Sequence, residues 1–76
     1  MNDLLNKAEG WFASLEIQTK ACATCLMVKR NDLLKYGDGD PQATFQLMIH
    51  ELRNTMGTNK FYWRETGHEW LYLDTF

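Results

Sequence analysis

The chain has 76 residues, of which 45% are hydrophobic and 13% aromatic. So short a chain can bury one hydrophobic core, and we expect a single domain over residues 1–76. Eight basic and ten acidic side chains give a formal net charge of −2, which disfavours binding to nucleic acid or to an acidic membrane through bulk charge. No apolar run approaches the ~18–20 residues that span a bilayer, and no basic region of a secretory signal precedes the first apolar residues. We therefore expect a soluble, cytoplasmic protein without membrane association.

The first predicted element is an amphipathic helix. Asn2 or Asp3 is a suitable N-cap, and Gly10 lies in the helix interior, where glycine costs up to ~1 kcal/mol relative to alanine. Either another backbone passes close to Gly10, or the residue is tolerated without a structural reason. The apolar side chains recur at helical spacing: Leu4, Leu5, Ala8, Trp11, Phe12 and Leu15.

The region from Glu16 to Tyr36 has two interpretations. Its apolar residues lie on a wide helical arc, so the preferred interpretation is a helix, followed by a short piece capped by Asn31 or Asp32 and ended by Gly37. The competing interpretation makes Ile17 to Val28 a strand, because several residues there are tolerated in strands: Thr19, Thr24, Val28 and the two cysteines.

The third predicted helix has the clearest boundaries in the sequence. Asp40 can cap it, Pro41 suits its first position, and Gly57 can end it in a left-handed conformation. Its apolar stripe is Phe45, Met48, Ile49, Leu52 and Met56, and its polar side carries Gln42, Gln46, His50, Arg53 and Asn54.

After Gly57 the pattern changes to the period of two that is typical of strands. Residues 60–64 and 69–74 are rich in strand formers, and Gly67 lies in the short connection between them, which predicts a β-hairpin. The expected register pairs Arg64 with Glu69, Trp63 with Trp70, Tyr62 with Leu71 and Phe61 with Tyr72. The expected fold class is α+β: three N-terminal helices followed by a C-terminal antiparallel β-hairpin.

The predicted hairpin is apolar on both faces, and three helices can cover one of them. In the expected register Phe61, Trp63, Trp70 and Tyr72 share the other face, with Arg64 and Glu69 at its rim. Exposed aromatic side chains of this kind are typical interface anchors. They predict a protein partner, although a homodimer seam or an internal core would also hide them.

The predicted function is therefore non-enzymatic. We expect a small protein-binding module that acts as an adaptor or inhibitor of a larger protein, a type that phages and mobile elements also encode. The pairs His50–Glu51 and His68–Glu69 cannot act as catalytic units, because adjacent side chains diverge on a helix and point to opposite faces on a strand. No cofactor is expected.

Two other classes of function remain open. Three helices followed by a hairpin is the element order of a winged-helix DNA-binding protein, with the polar side of the third helix toward the bases. Alternatively, Cys22 and Cys25 on one helix face could form a small zinc site with His50 and His68. Otherwise we expect free thiols in a reducing cytosol, and redox activity is disfavoured because a reactive Cys-x-x-Cys usually follows a strand and opens a helix.

Overall fold

The protein is a small α+β domain, seen in a computed structural model that describes residues 3–37, 39–65, 67 and 69–76. The four strands form one antiparallel sheet in the order β1-β2-β4-β3. The elements are α1 (Asp3–Ser14), β1 (Thr19–Ala21), β2 (Cys25–Lys29), α2 (Arg30–Leu33), α3 (Pro41–Met56), β3 (Phe61–Glu65) and β4 (Trp70–Thr75).

The predicted order of three helices followed by a hairpin is wrong in its second element. Residues that were expected to form a helix form the β1–β2 hairpin, and α2 is a single turn that directly follows β2. Residues 25–29 form strand β2 because β4 has two edges, and β3 pairs with only one of them. β2 pairs with the other edge, and its period of two places Leu26 and Val28 on the buried side of the sheet.

Helix α1 agrees with the sequence prediction. Leu5, Ala8 and Phe12 are fully buried, whereas a Cβ built at Gly10 would meet no atom within 4 Å. No close backbone therefore requires this glycine. Asp3 is the first helical residue, and the other proposed cap, Asn2, lies outside the described residues.

Helix α1 ends in a Schellman motif that turns the chain toward β1. The amide of Ile17 donates to the carbonyl of Phe12 at 3.1 Å, and the amide of Glu16 donates to the carbonyl of Ala13 at 3.0 Å. Glu16 takes the left-handed conformation at φ 60°. Ile17 and Phe12 are both buried in the core, and such an apolar pair often accompanies this motif.

The predicted limits of α3 are confirmed at both ends. The side chain of Asp40 accepts hydrogen bonds from the amides of Gln42 at 3.1 Å and Ala43 at 3.3 Å, with Pro41 at the first helical position. Gly57 follows the last helical residue with φ 68°. These caps supply partners for helix-end groups that would otherwise lack them.

The β3–β4 hairpin is present, but its predicted register is wrong. Arg64 lies opposite Tyr72 rather than Glu69, a shift of three residues along β4. Because side chains alternate between faces, an odd shift exchanges the two faces of β4 relative to β3. Leu71 and Leu73 consequently join Phe61 and Trp63 on one face, which gathers the strongest apolar residues of both strands.

The sheet thus has two different faces. The face that packs against the helices, here called the inner face, contributes fully buried side chains to one core with α1, α2 and α3. The inner-face residues in this core are Leu26, Val28, Phe61, Leu71 and Leu73, with Trp63 packed against them. A two-layer arrangement results, with helices on one side of the sheet.

Candidate functional site

The opposite side of the sheet, here called the outer face, is the candidate functional surface. The core that joins the helices to the sheet includes none of its side chains, so no helix covers it in the part of the chain that the structure describes. Strand pairing assigns its members, because residues directly opposite in adjacent strands point to the same face. They are Lys20, Cys25, Met27, Lys29, Tyr62, Arg64, Trp70, Tyr72 and Asp74.

Aromatic side chains dominate the middle of the outer face. Tyr62, Trp70 and Tyr72 are each half-buried, and Met27 lies directly opposite Tyr72. Phe76 follows β4 and is 82% exposed, with its ring centroid 4.7 Å from that of Tyr62. These side chains form an apolar centre without a helix above it.

Each of two aromatic rings on this face is combined with a cation and a carboxylate. The guanidinium carbon of Arg64 lies 4.6 Å from the centroid of Tyr72, and its Nε donates to Asp74 Oδ2 at 2.6 Å. Lys29 Nζ lies 5.0 Å from the centroid of Trp70 and also bonds the carboxylate of Glu69. The cation–π contacts fix the side chains relative to one another, and the carboxylates neutralise both cations.

The ionisation of these groups reflects the same contacts. The hydrogen bond to Asp74 raises the pKa of Arg64, with a smaller opposing effect of burial. The hydrogen bond and the charge of Lys29 lower the pKa of Glu69. These contacts therefore favour the charged forms of Arg64 and Glu69.

The six residues predicted to form the docking surface do not lie together. Phe61 is fully buried in the core, and Trp63 packs beside it with its ring centroid 6.1 Å from that of Phe45. Trp70, Tyr72 and Arg64 lie on the outer face. Glu69 is exposed and pairs with Lys29 instead of Arg64.

The sequence-based prediction omits Met27, Lys29 and Tyr62 of the outer face and the neighbouring Phe76. The helical interpretation of residues 16–36 includes Met27 and Lys29, and the predicted register places Tyr62 on the opposite face. Phe76 lay beyond the predicted strand. The register that places Leu71 and Leu73 beside Phe61 and Trp63 would have assigned Tyr62 to this surface.

The four candidate zinc ligands are not brought together among the described residues. Cys22 and Cys25 lie at the β1–β2 turn and are joined by a disulfide, so neither sulfur is a free thiolate. This also contradicts the expectation of free thiols. His50 is exposed on α3, and His68 lies outside the described residues. No group of three or more potential metal ligands occurs in the described part of the chain.

The winged-helix interpretation loses the element order on which it was based. The β3–β4 hairpin belongs to a four-stranded sheet, and a single helical turn stands where a second full helix was expected. Arg53, the cation on the polar side of α3, donates from Nε to the carbonyl of Phe61 at 2.9 Å. Its guanidinium therefore supports the start of β3.

The chain matches no known protein family, no curated protein and no solved structure. Across the described ranges, no pocket was found, and none of the helices there has the length and apolar character needed to cross a bilayer. The outer face thus remains the feature of the described structure from which a function can be argued.

Proposed function

We propose that the chain is a small protein-binding module that docks through its outer face and acts as an adaptor or inhibitor of a larger protein. The observation that carries the proposal is the apolar centre of Met27, Tyr62, Trp70 and Tyr72 on a sheet face that no described helix covers. Tyrosine, tryptophan, methionine and arginine are the residue types that are enriched at protein interfaces.

The charges of the outer face favour a protein over a nucleic acid. Stacking of bases on aromatic side chains would require cations that are free to contact phosphates. Here Arg64 is bonded to Asp74 and Lys29 to Glu69, so two of the cations are already neutralised. A partner with an apolar centre and a polar rim would leave both ion pairs intact.

The size of the molecule is compatible with this role. Its two longer Cα extents are 30 and 24 Å, and they enclose an area on the order of 700 Å². A specific interface buries about 800 Å² on each partner. An area of this order lies at the lower end of specific interfaces, and the half-buried rings are already held in place before binding.

The test compares Trp70→Ala and Tyr62→Ala with the matched control Leu47→Ala. Leu47 is 72% exposed on α3, so its truncation removes a similar apolar surface away from the sheet. Each protein is used for affinity capture from nuclease-treated lysate, and the captured partner is then titrated in purified form. We expect Trp70→Ala to weaken binding about 30-fold, as for a hot-spot tryptophan, and Leu47→Ala to bind like the wild type.

Three results would contradict the proposal. Equal losses in the outer-face and control variants would place the interface elsewhere. Salt-sensitive binding of a single-stranded oligonucleotide to the outer face would favour the nucleic-acid class. A concentration-dependent dimer that Trp70→Ala dissociates, with no other protein captured, would identify the outer face as a seam between two copies.

A further inference from the structure

The Cys22–Cys25 disulfide lies at one end of the outer face and has no part in the proposed docking function. It closes the β1–β2 turn, with a Cα–Cα distance of 5.1 Å. The amide of Cys22 donates to the carbonyl of Cys25 at 3.0 Å, so the backbone already holds these two residues together. Cys25 lies directly opposite Asp74 in β4, on the same face as the aromatic centre.

The position of this disulfide indicates that the fold does not depend on it. A disulfide stabilises by restricting the unfolded chain, and this effect is smaller when the loop that it closes is shorter. The residues are three apart in the sequence, so the closed loop is very short. Cys25 is buried, but neither cysteine belongs to the cluster of packed side chains that joins the helices to the sheet. Reduction should therefore leave the two layers in place.

The two sulfurs differ in their accessibility. Cys25 is only 2% exposed, whereas Cys22 is half-buried at the edge of the sheet. Thiol–disulfide exchange requires an attacking thiolate to reach one sulfur while the other departs. Accessibility therefore favours attack at Cys22, and Cys25 is then the sulfur that departs.

We propose that Cys22 and Cys25 form a reversible thiol–disulfide exchange site whose reactant is a dithiol. A thiolate of the dithiol attacks Sγ of Cys22, and the electrons of the protein S–S bond move to Sγ of Cys25, which leaves and takes up a proton. The second thiol of the reactant then attacks its own mixed disulfide and releases Cys22. The dithiol becomes a disulfide by losing two electrons, and the protein gains two thiols. The reverse sequence restores the protein disulfide.

The first test treats the folded protein with dithiothreitol, blocks the thiols with N-ethylmaleimide and measures the intact mass. We expect two alkyl groups per chain without denaturant, the second adding more slowly because Cys25 is buried. Far-ultraviolet circular dichroism should be unchanged, and an unblocked sample of the reduced protein should recover the disulfide with oxidised dithiothreitol. The double variant Cys22→Ser/Cys25→Ser should have the melting temperature of the reduced wild type. A disulfide that reacts only in denaturant, loss of structure on reduction, or failure to reoxidise would overturn the proposal.

The second test assigns the attacked sulfur. Cys25→Ser retains only Cys22, and Cys22→Ser retains only Cys25, and both are treated with an aromatic disulfide reagent that releases a coloured thiolate. We expect Cys22 to react about tenfold faster, in line with its greater exposure. Equal rates, or a faster Cys25, would overturn the assignment of Cys22. Neither test needs a docking partner, so its outcome is independent of the proposed function.

Discussion

The two faces of the sheet are built from alternating residues of the same strands, yet they have different environments. Leu71 and Leu73 of β4 are fully buried under the helices, whereas Trp70 and Tyr72 are half-buried on the outer face. The inner face packs apolar side chains against other apolar side chains. On the outer face, cations and carboxylates accompany the aromatic rings.

This difference shows how a small domain can keep aromatic side chains near its surface. An uncovered aromatic patch favours association with other molecules. On the outer face, Arg64 covers part of Tyr72 and Lys29 covers part of Trp70, and the carboxylates of Asp74 and Glu69 neutralise these cations. The inner face serves stability, and we propose that the outer face serves recognition.

Alanine substitutions at two adjacent residues of β4 should show the largest difference in stability between the two faces. Leu71→Ala should reduce the free energy of unfolding by about 3 kcal/mol, because it leaves a cavity in the core. Tyr72→Ala should cost only about 1 kcal/mol, because it removes cross-strand and cation–π contacts on an open face. Urea denaturation measures both values. Similar losses at the two positions would mean that the outer face is also part of the core.

Substitution of the α3 N-cap tests how much the helices packed on the inner face contribute to stability. Asp40 accepts hydrogen bonds from two amides at the start of the helix. Asp40→Ala should lower the free energy of unfolding by about 1 kcal/mol, and Asp40→Asn should retain most of it. Thermal denaturation of the two variants provides the measurement. Equal melting temperatures for Asp40→Ala and the wild type would show that the cap is not needed.

Replacement of Gly10 in α1 by alanine should stabilise the protein. A Cβ at this position meets no atom within 4 Å, so Gly10→Ala gains helix propensity without a clash. We expect an increase of about 0.5–1 kcal/mol in the free energy of unfolding. Urea denaturation would show this as a higher midpoint with an unchanged slope. A lower midpoint would mean that another part of the protein approaches Gly10.

The Lys29–Glu69 pair predicts a small dependence of stability on pH. Because its pKa is lowered from the ordinary 4.5, Glu69 stabilises the folded chain above that pH, and this contribution is lost as the pH falls through the lowered value. Lys29→Met should return the midpoint of the Glu69 carboxyl in an NMR titration toward 4.5. An unchanged midpoint would show that the pair does not form in solution.

Local signals in the sequence were sufficient for α1 and α3. The cap residue Asp40, the terminator Gly57 and the apolar stripe between them predicted α3 correctly. The core positions of α1 followed from the same helical spacing. Such signals lie within one or two turns of chain, so they do not depend on the rest of the fold.

The arrangement of the sheet could not be read in the same way. Whether Cys25 to Lys29 forms a strand depends on a free edge of β4, which lies more than forty positions later in the chain, as the Cys25–Asp74 pair illustrates. The register of the hairpin likewise depends on which face the helices cover. Both choices are made by tertiary packing, and the composition of the outer face follows from them.

The most direct measurement is hydroxyl-radical footprinting of the isolated chain and of its complex with a captured partner. We predict that Tyr62, Trp70 and Tyr72 are oxidised readily in the isolated protein and are protected in the complex, while Leu47 on α3 reacts equally in both. Protection of Leu47 with unchanged oxidation of the outer-face aromatics would contradict docking through the outer face. Slow oxidation of the three aromatics in the isolated monomer would contradict the uncovered face itself.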